Sequence, residues 1–75
     1  MKIEILGPGC PRCKALEENV KKALKNKGKQ AEVEHTKDVS KITEYGVVMT
    51  PALVVDGEVK SSGKVLSPAE IEKYI

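Results

Sequence analysis

Residues 2–6 alternate polar and apolar, Lys2-Ile3-Glu4-Ile5, close on Leu6, and stop at Gly7-Pro8-Gly9. Alternation ended by glycine and proline predicts a first β-strand running into a loop. From Pro11 the period changes. Leu16, Val20, Ala23 and Leu24 fall at i, i+4, i+7 and i+8, one stripe of a helix, while Lys14, Glu18, Lys21, Lys22 and Lys25 lie mostly off it. Proline suits a first helical position, where its missing N–H costs nothing, and Gly28 supplies a stop. A helix over Pro11–Lys27 is predicted.

Residues 31–35, Ala-Glu-Val-Glu-His, alternate again as a second strand. Strand, helix and strand in one sheet make the two strands parallel, with a right-handed crossover. Asp38 is placed to cap a short helix through about Tyr45, with Val39 and Ile42 on its inner face and Gly46 as its stop. Ala52-Leu53-Val54-Val55 is a continuous apolar run suited to a strand buried on both faces. Asp56-Gly57 then predicts a two-residue hairpin into a fourth strand, Glu58-Val59-Lys60. Ser67-Pro68-Ala69-Glu70 combines an N-cap serine, proline at the first helical position and glutamate three after the cap. The chain is expected to end in a helix with Ile71, Tyr74 and Ile75 on its apolar side. The order β-α-β-α-β-β-α is an α/β layer structure.

With 75 residues there is room for a single domain, 1–75, near the lower limit for one hydrophobic core. Trp and Phe are absent, so that core must come from Ile, Val, Leu and Ala, with Tyr45 and Tyr74 as its only large rings. A net charge of +2, without aromatic residues among the lysines, argues against nucleic acid as a partner. The opening apolar stretch is too short for a signal segment, and no run reaches membrane-spanning length. A cytoplasmic monomer with no membrane partner is expected.

In a reducing cytosol two cysteines three positions apart are more often catalytic or metal-binding than structural. Cys10 stands where the loop enters the helix. Unpaired N–H groups and the positive end of the helix dipole favour a thiolate there. Such a position lowers a cysteine pKa from about 8.5 to roughly 3.5–7.5, which makes Cys10 the candidate nucleophile. Cys13 precedes Leu16 and Val20 on the inward stripe, so it should be buried and act as the resolving thiol. In the expected cycle Cys10 attacks a substrate disulfide, and Cys13 then attacks Cys10 to release the reduced product. Two electrons move without metal or organic cofactor. Between the cysteines, Pro11 fixes the turn and Arg12 adds positive charge, both tuning the motif. The pair is also half of a zinc site, but the remaining chain offers only His35, which reads as a partly exposed polar residue. The lysines of the first helix form a solvated face or a surface that steers an acidic partner.

Thr50-Pro51 stands directly before the buried run. An ordinary trans proline is the commoner local reading, whereas a cis bond would present the Thr50 backbone to an incoming extended peptide. The strand, Cys10-Pro11-Arg12-Cys13 opening a helix, Thr50-Pro51 before Ala52-Leu53-Val54-Val55, the Asp-Gly hairpin and the terminal helix together resemble the thioredoxin/glutaredoxin superfamily. The likeness is closest to its small thioredoxin-like redox-active disulfide proteins. It implies a minimal thioredoxin-like fold: a four-stranded mixed sheet of order 2-1-3-4, helices one and three on one face and helix two on the other. It further implies that Pro51 is cis, faces the cysteine pair and, with Thr50, docks the substrate. The activity implied is thiol-disulfide exchange on a protein or low-molecular-weight disulfide, with a reductase or thiol reductant restoring the dithiol. Two readings from other classes stand beside it. A Cu(I) metallochaperone also carries CxxC after a first strand, although such domains end in a strand and place Met where Pro8 stands here. A thioredoxin-like interaction module would keep the fold without the chemistry.

Overall fold

A computed structural model describes residues 1–9 and 11–75 of the chain. The elements run β1 (Lys2–Leu6), α1 (Pro11–Lys27), β2 (Glu32–Thr36), α2 (Val39–Glu44), β3 (Ala52–Val55), β4 (Glu58–Ser62) and α3 (Pro68–Glu72). They form a four-stranded sheet of order β2-β1-β3-β4. β1 pairs parallel with β2 and antiparallel with β3, and β3 pairs antiparallel with β4. The mixed sheet matches the order implied by the resemblance. β1 is central, so the loop that follows it emerges between β2 on one side and β3 on the other.

The pleat of β1 and β3 divides the core in two. Ile3 and Ile5 stand opposite Val55 and Leu53 and pack beneath α1 and α3, against Leu16, Val20 and Ile71. Leu6, Ala52 and Val54 point the other way, beneath Ile42 of α2. All four residues of β3 are buried, as a strand covered on both faces requires.

Local chemistry explains the ends of these elements. Gly28 takes φ +64°, and the Lys29 N–H donates to Leu24 O at 2.9 Å, closing α1 with a left-handed cap. Asp56 and Gly57 have φ of +49° and +85°, the paired positive values of a two-residue hairpin turn. Ser67 and Glu70 form the reciprocal capping box at the start of α3. The Asn19 side chain donates to Leu66 O at 2.8 Å and ties α1 to the segment entering α3.

Several expectations need correction. Val39 is 73% exposed, so α2 buries Ile42 alone; a helix of six residues has little more than one turn to set on a sheet. Tyr74 is not a core ring, being 42% exposed, whereas Tyr45 is half-buried, packs against the Leu6, Ile42, Ala52 and Val54 cluster and donates its hydroxyl to Glu4 Oε2. The buried core is aliphatic, joined by Cys13 and Pro51. α3 ends at Glu72 instead of reaching Ile75, because Lys73 and Tyr74 donate to Glu70 O and Ile71 O in a tighter turn. β2 begins and ends one residue later than its alternation suggested. β4 extends to Ser62, past an irregularity opposite Leu53 and Val54.

Leu53→Ala empties space under α1 and should cost about 2–5 kcal/mol, read from urea unfolding midpoints. Val39→Ala, at the exposed position, should stay within about 0.5 kcal/mol in the same assay.

Candidate active site

The loop Gly7-Pro8-Gly9 leaves the end of β1 and is held along one side by the end of β2. The Gly7 N–H donates to Thr36 O at 3.0 Å, extending the parallel ladder by one bond. Gly7 O lies 3.2 Å from His35 Nε2. A carbonyl only accepts, so the imidazole donates from Nε2 in this bond. His35 is thus half-buried, as expected, and it also anchors the loop that precedes the cysteine motif. Lys37, the next residue but one, lies along Gly9: a methyl group on Gly9 would sit 3.3 Å from Lys37 Cε and 3.6 Å from Nζ. Gly9 has φ +92°, a conformation that favours glycine.

Cys13 occupies the first turn of α1 and is fully buried, in line with Leu16 and Val20. Its Sγ fills the space where residue 7 would carry a side chain, since a methyl group on Gly7 would lie 2.3 Å from that sulfur. The same methyl would lie 3.7 Å from Thr50 Cβ. One glycine therefore separates the thiol of the helix from the turn before β3. The Thr50-Pro51 bond is cis, and Pro51 is buried while Thr50 is half-buried.

A second link joins the motif to that turn. Arg12 is exposed and donates from Nη2 to Gly63 O at 3.0 Å, while the Gly63 N–H donates to Pro51 O at 2.8 Å. Gly63 has φ +74°, and a methyl group on it would approach Met49 Cβ to 3.1 Å. Two bonds meeting at one residue thus connect helix α1, the segment after β4 and the proline turn. The Arg12 charge was expected near the nucleophile; the structure directs its guanidinium to a carbonyl across the site.

Of the residues singled out from sequence, Pro11, Arg12, Cys13, Thr50 and Pro51 gather at one end of the sheet. Cys10 lies outside the described residues. His35, Lys37 and Gly63 complete the surroundings, and sequence reasoning did not place His35 and Lys37 there. Their only signal was position, which follows from the register of β2 beside β1. An open groove of about 500 Å3 runs from this end over the α2 face, between Pro8 and Lys37 on one side and Val47, Val48 and Thr50 on the other. A second depression, of about 400 Å3, is lined by Glu4, Lys41, Glu44 and Tyr45. There the Tyr45 phenol is pushed above its usual pKa of 10.0 by its hydrogen bond to Glu4 and by partial desolvation, with neighbouring carboxylates adding to the shift.

The arrangement suits sulfur exchange. A buried thiol at the start of a helix, beside a proline turn and an open groove, allows a second sulfur to be approached from one side and displaced from the other. Comparison with known proteins agrees. The family described as a thioredoxin domain matches residues 1–75. A protein named thioredoxin from Methanothermobacter thermautotrophicus is 45% identical over 75 residues, covering 100% of this chain and 97% of that protein. Another named thioredoxin, from Methanocaldococcus jannaschii, is 41% identical over 73 residues, covering 97% of this chain and 84% of the relative. A sheet of order β2-β1-β3-β4, a cis proline beside the motif helix and a family match along the whole chain lead to one assignment: the chain belongs to the thioredoxin family of thiol-disulfide oxidoreductases.

Proposed function

We propose that the 75 residues act as one domain that exchanges disulfides through Cys10 as attacking thiolate and Cys13 as resolving thiol. The observation that carries this reading is the position of Cys13 Sγ, buried in the first turn of α1 against Gly7 and next to Thr50. Cys10 directly precedes Pro11, the first residue of α1, whose first turn carries no acidic side chain. The positive end of that helix therefore has no carboxylate of its own to offset it, which favours a thiolate.

In the cycle, the Cys10 thiolate attacks one sulfur of a substrate disulfide, and the other leaves as a thiolate that takes up a proton. Cys13 loses its proton and attacks Cys10, the mixed disulfide breaks, and the second substrate sulfur departs. Two electrons pass to the substrate and the enzyme keeps an intramolecular disulfide. Pro11 holds the turn between the two sulfurs. Arg12 tunes the motif through its positive charge and its bond to Gly63. Thr50 and Pro51 dock the substrate backbone beside the sulfurs.

The substrate is a protein or low-molecular-weight disulfide, and a reductase or thiol reductant restores the dithiol. No helix among the described residues is long and apolar enough to cross a membrane, which accords with action in the cytoplasm. The metallochaperone reading loses ground because residues 1–75 match the thioredoxin-domain family along their whole length.

Titration of the chain against thiol redox buffers, with acid quenching and alkylation, should give one two-electron transition between roughly −120 and −270 mV. Oxidation too slow for turnover would favour an interaction module instead. Cys13→Ser should accumulate a mixed disulfide with substrate, visible by mass, while Cys10→Ser should form none. Gly7→Ala forces a methyl onto the Cys13 sulfur and should destabilise the chain by about 1–3 kcal/mol in urea unfolding. The same variant should also slow intramolecular disulfide formation.

A further inference from the structure

Among the described residues, the groove beside the site is lined mostly by apolar side chains, with Thr43, Thr50 and the single charge of Lys37. Val48 is 94% exposed and Val39 73%, and both line it, so two aliphatic side chains stand open to water next to the motif loop. Ile42 is buried at its base. The Thr43 hydroxyl in its wall is already used, donating to Val39 O at 2.9 Å. Lys37 is the only charged residue in the lining, and it makes no hydrogen bond or ion pair among the described residues. Its neighbour Asp38 is committed elsewhere, accepting from the Ser40 N–H at 2.9 Å as the cap of α2. Lys37 Nζ lies beside Gly9, the residue bonded to Cys10, and Thr50 also lines the groove.

From this we infer that the groove selects its substrate: it takes a polypeptide segment with an aliphatic side chain beside the reacting half-cystine and a carboxylate that pairs with Lys37. The inference rests on the exchange reading above and names which disulfides that chemistry prefers. The aliphatic group covers Val39 and Val48, and the carboxylate meets an ammonium that has no competing acid in the groove. An occupant held at Lys37 lies beside Gly9, which directly precedes Cys10 in the sequence. Lys37 is a specificity residue in this scheme and takes no part in the sulfur chemistry.

The test uses two synthetic disulfide peptides that differ only in Glu or Gln two residues from a Leu-flanked half-cystine, reduced by the full chain in its dithiol form. The native chain should prefer the Glu peptide by about three- to fivefold in kcat/KM at low salt, the size an exposed ion pair supports. The preference should appear in KM and fade at 0.5 M salt, where screening acts within about 4 Å. Lys37→Met keeps the apolar stem along Gly9 and should abolish the preference, with the Gln peptide and the pH profile of Cys10 alkylation unchanged. Lys37→Glu should reverse it. Equal slowing of both peptides by Lys37→Met, a shifted alkylation profile, or a preference that survives the substitution would overturn the inference. So would a Lys37 effect confined to oxidised glutathione. If the native chain reduces neither peptide, the exchange reading itself fails; if it reduces both equally, only the substrate preference does.

Discussion

The close approach of Cys13 Sγ to the backbone of Gly7 organises the site, because a sulfur there leaves no room for a side chain. Three elements converge on that contact. The first turn of α1 brings the thiol, the end of β2 clamps the Gly7 peptide through Thr36 and His35, and the turn before β3 presses Thr50 against the same point. A central strand makes this possible, since only a loop leaving the middle of a sheet has a neighbour on each side.

Hydrogen bonding then fixes the rim. Gly63 receives Arg12 at its carbonyl and reaches Pro51 with its N–H, so the motif helix and the proline turn are tied through one residue. The opposite side is looser and more apolar. α2 sets one residue, Ile42, into the sheet and leaves Val39 outside, which opens the groove that Lys37 borders.

Much of this was legible in the chain because the signals are local. The cap of α1 at Gly28, the Asp56-Gly57 hairpin, the Ser67 capping box and the buried run of β3 each depend on a few neighbouring residues. The inward stripe through Cys13, Leu16 and Val20 follows from helix period alone. Where the reading went astray, a local preference met a tertiary limit. Val39 has the right spacing to pack beside Ile42 but lies past the area the sheet offers. Tyr74 is large enough for a core, yet the aliphatic layers fill it and leave the ring at the surface, while Tyr45 packs at the edge of one layer and turns its hydroxyl to Glu4.

The sequence by itself determined the elements and their order, since periodicity and capping act over a few residues. Only the tertiary structure decided that His35 and Lys37 stand beside the loop before the motif, that Arg12 reaches across to Gly63, and that Thr50 meets Gly7. Those contacts join residues 28 to 51 positions apart, or follow from strand register, and nothing in the local pattern of either partner encodes the other.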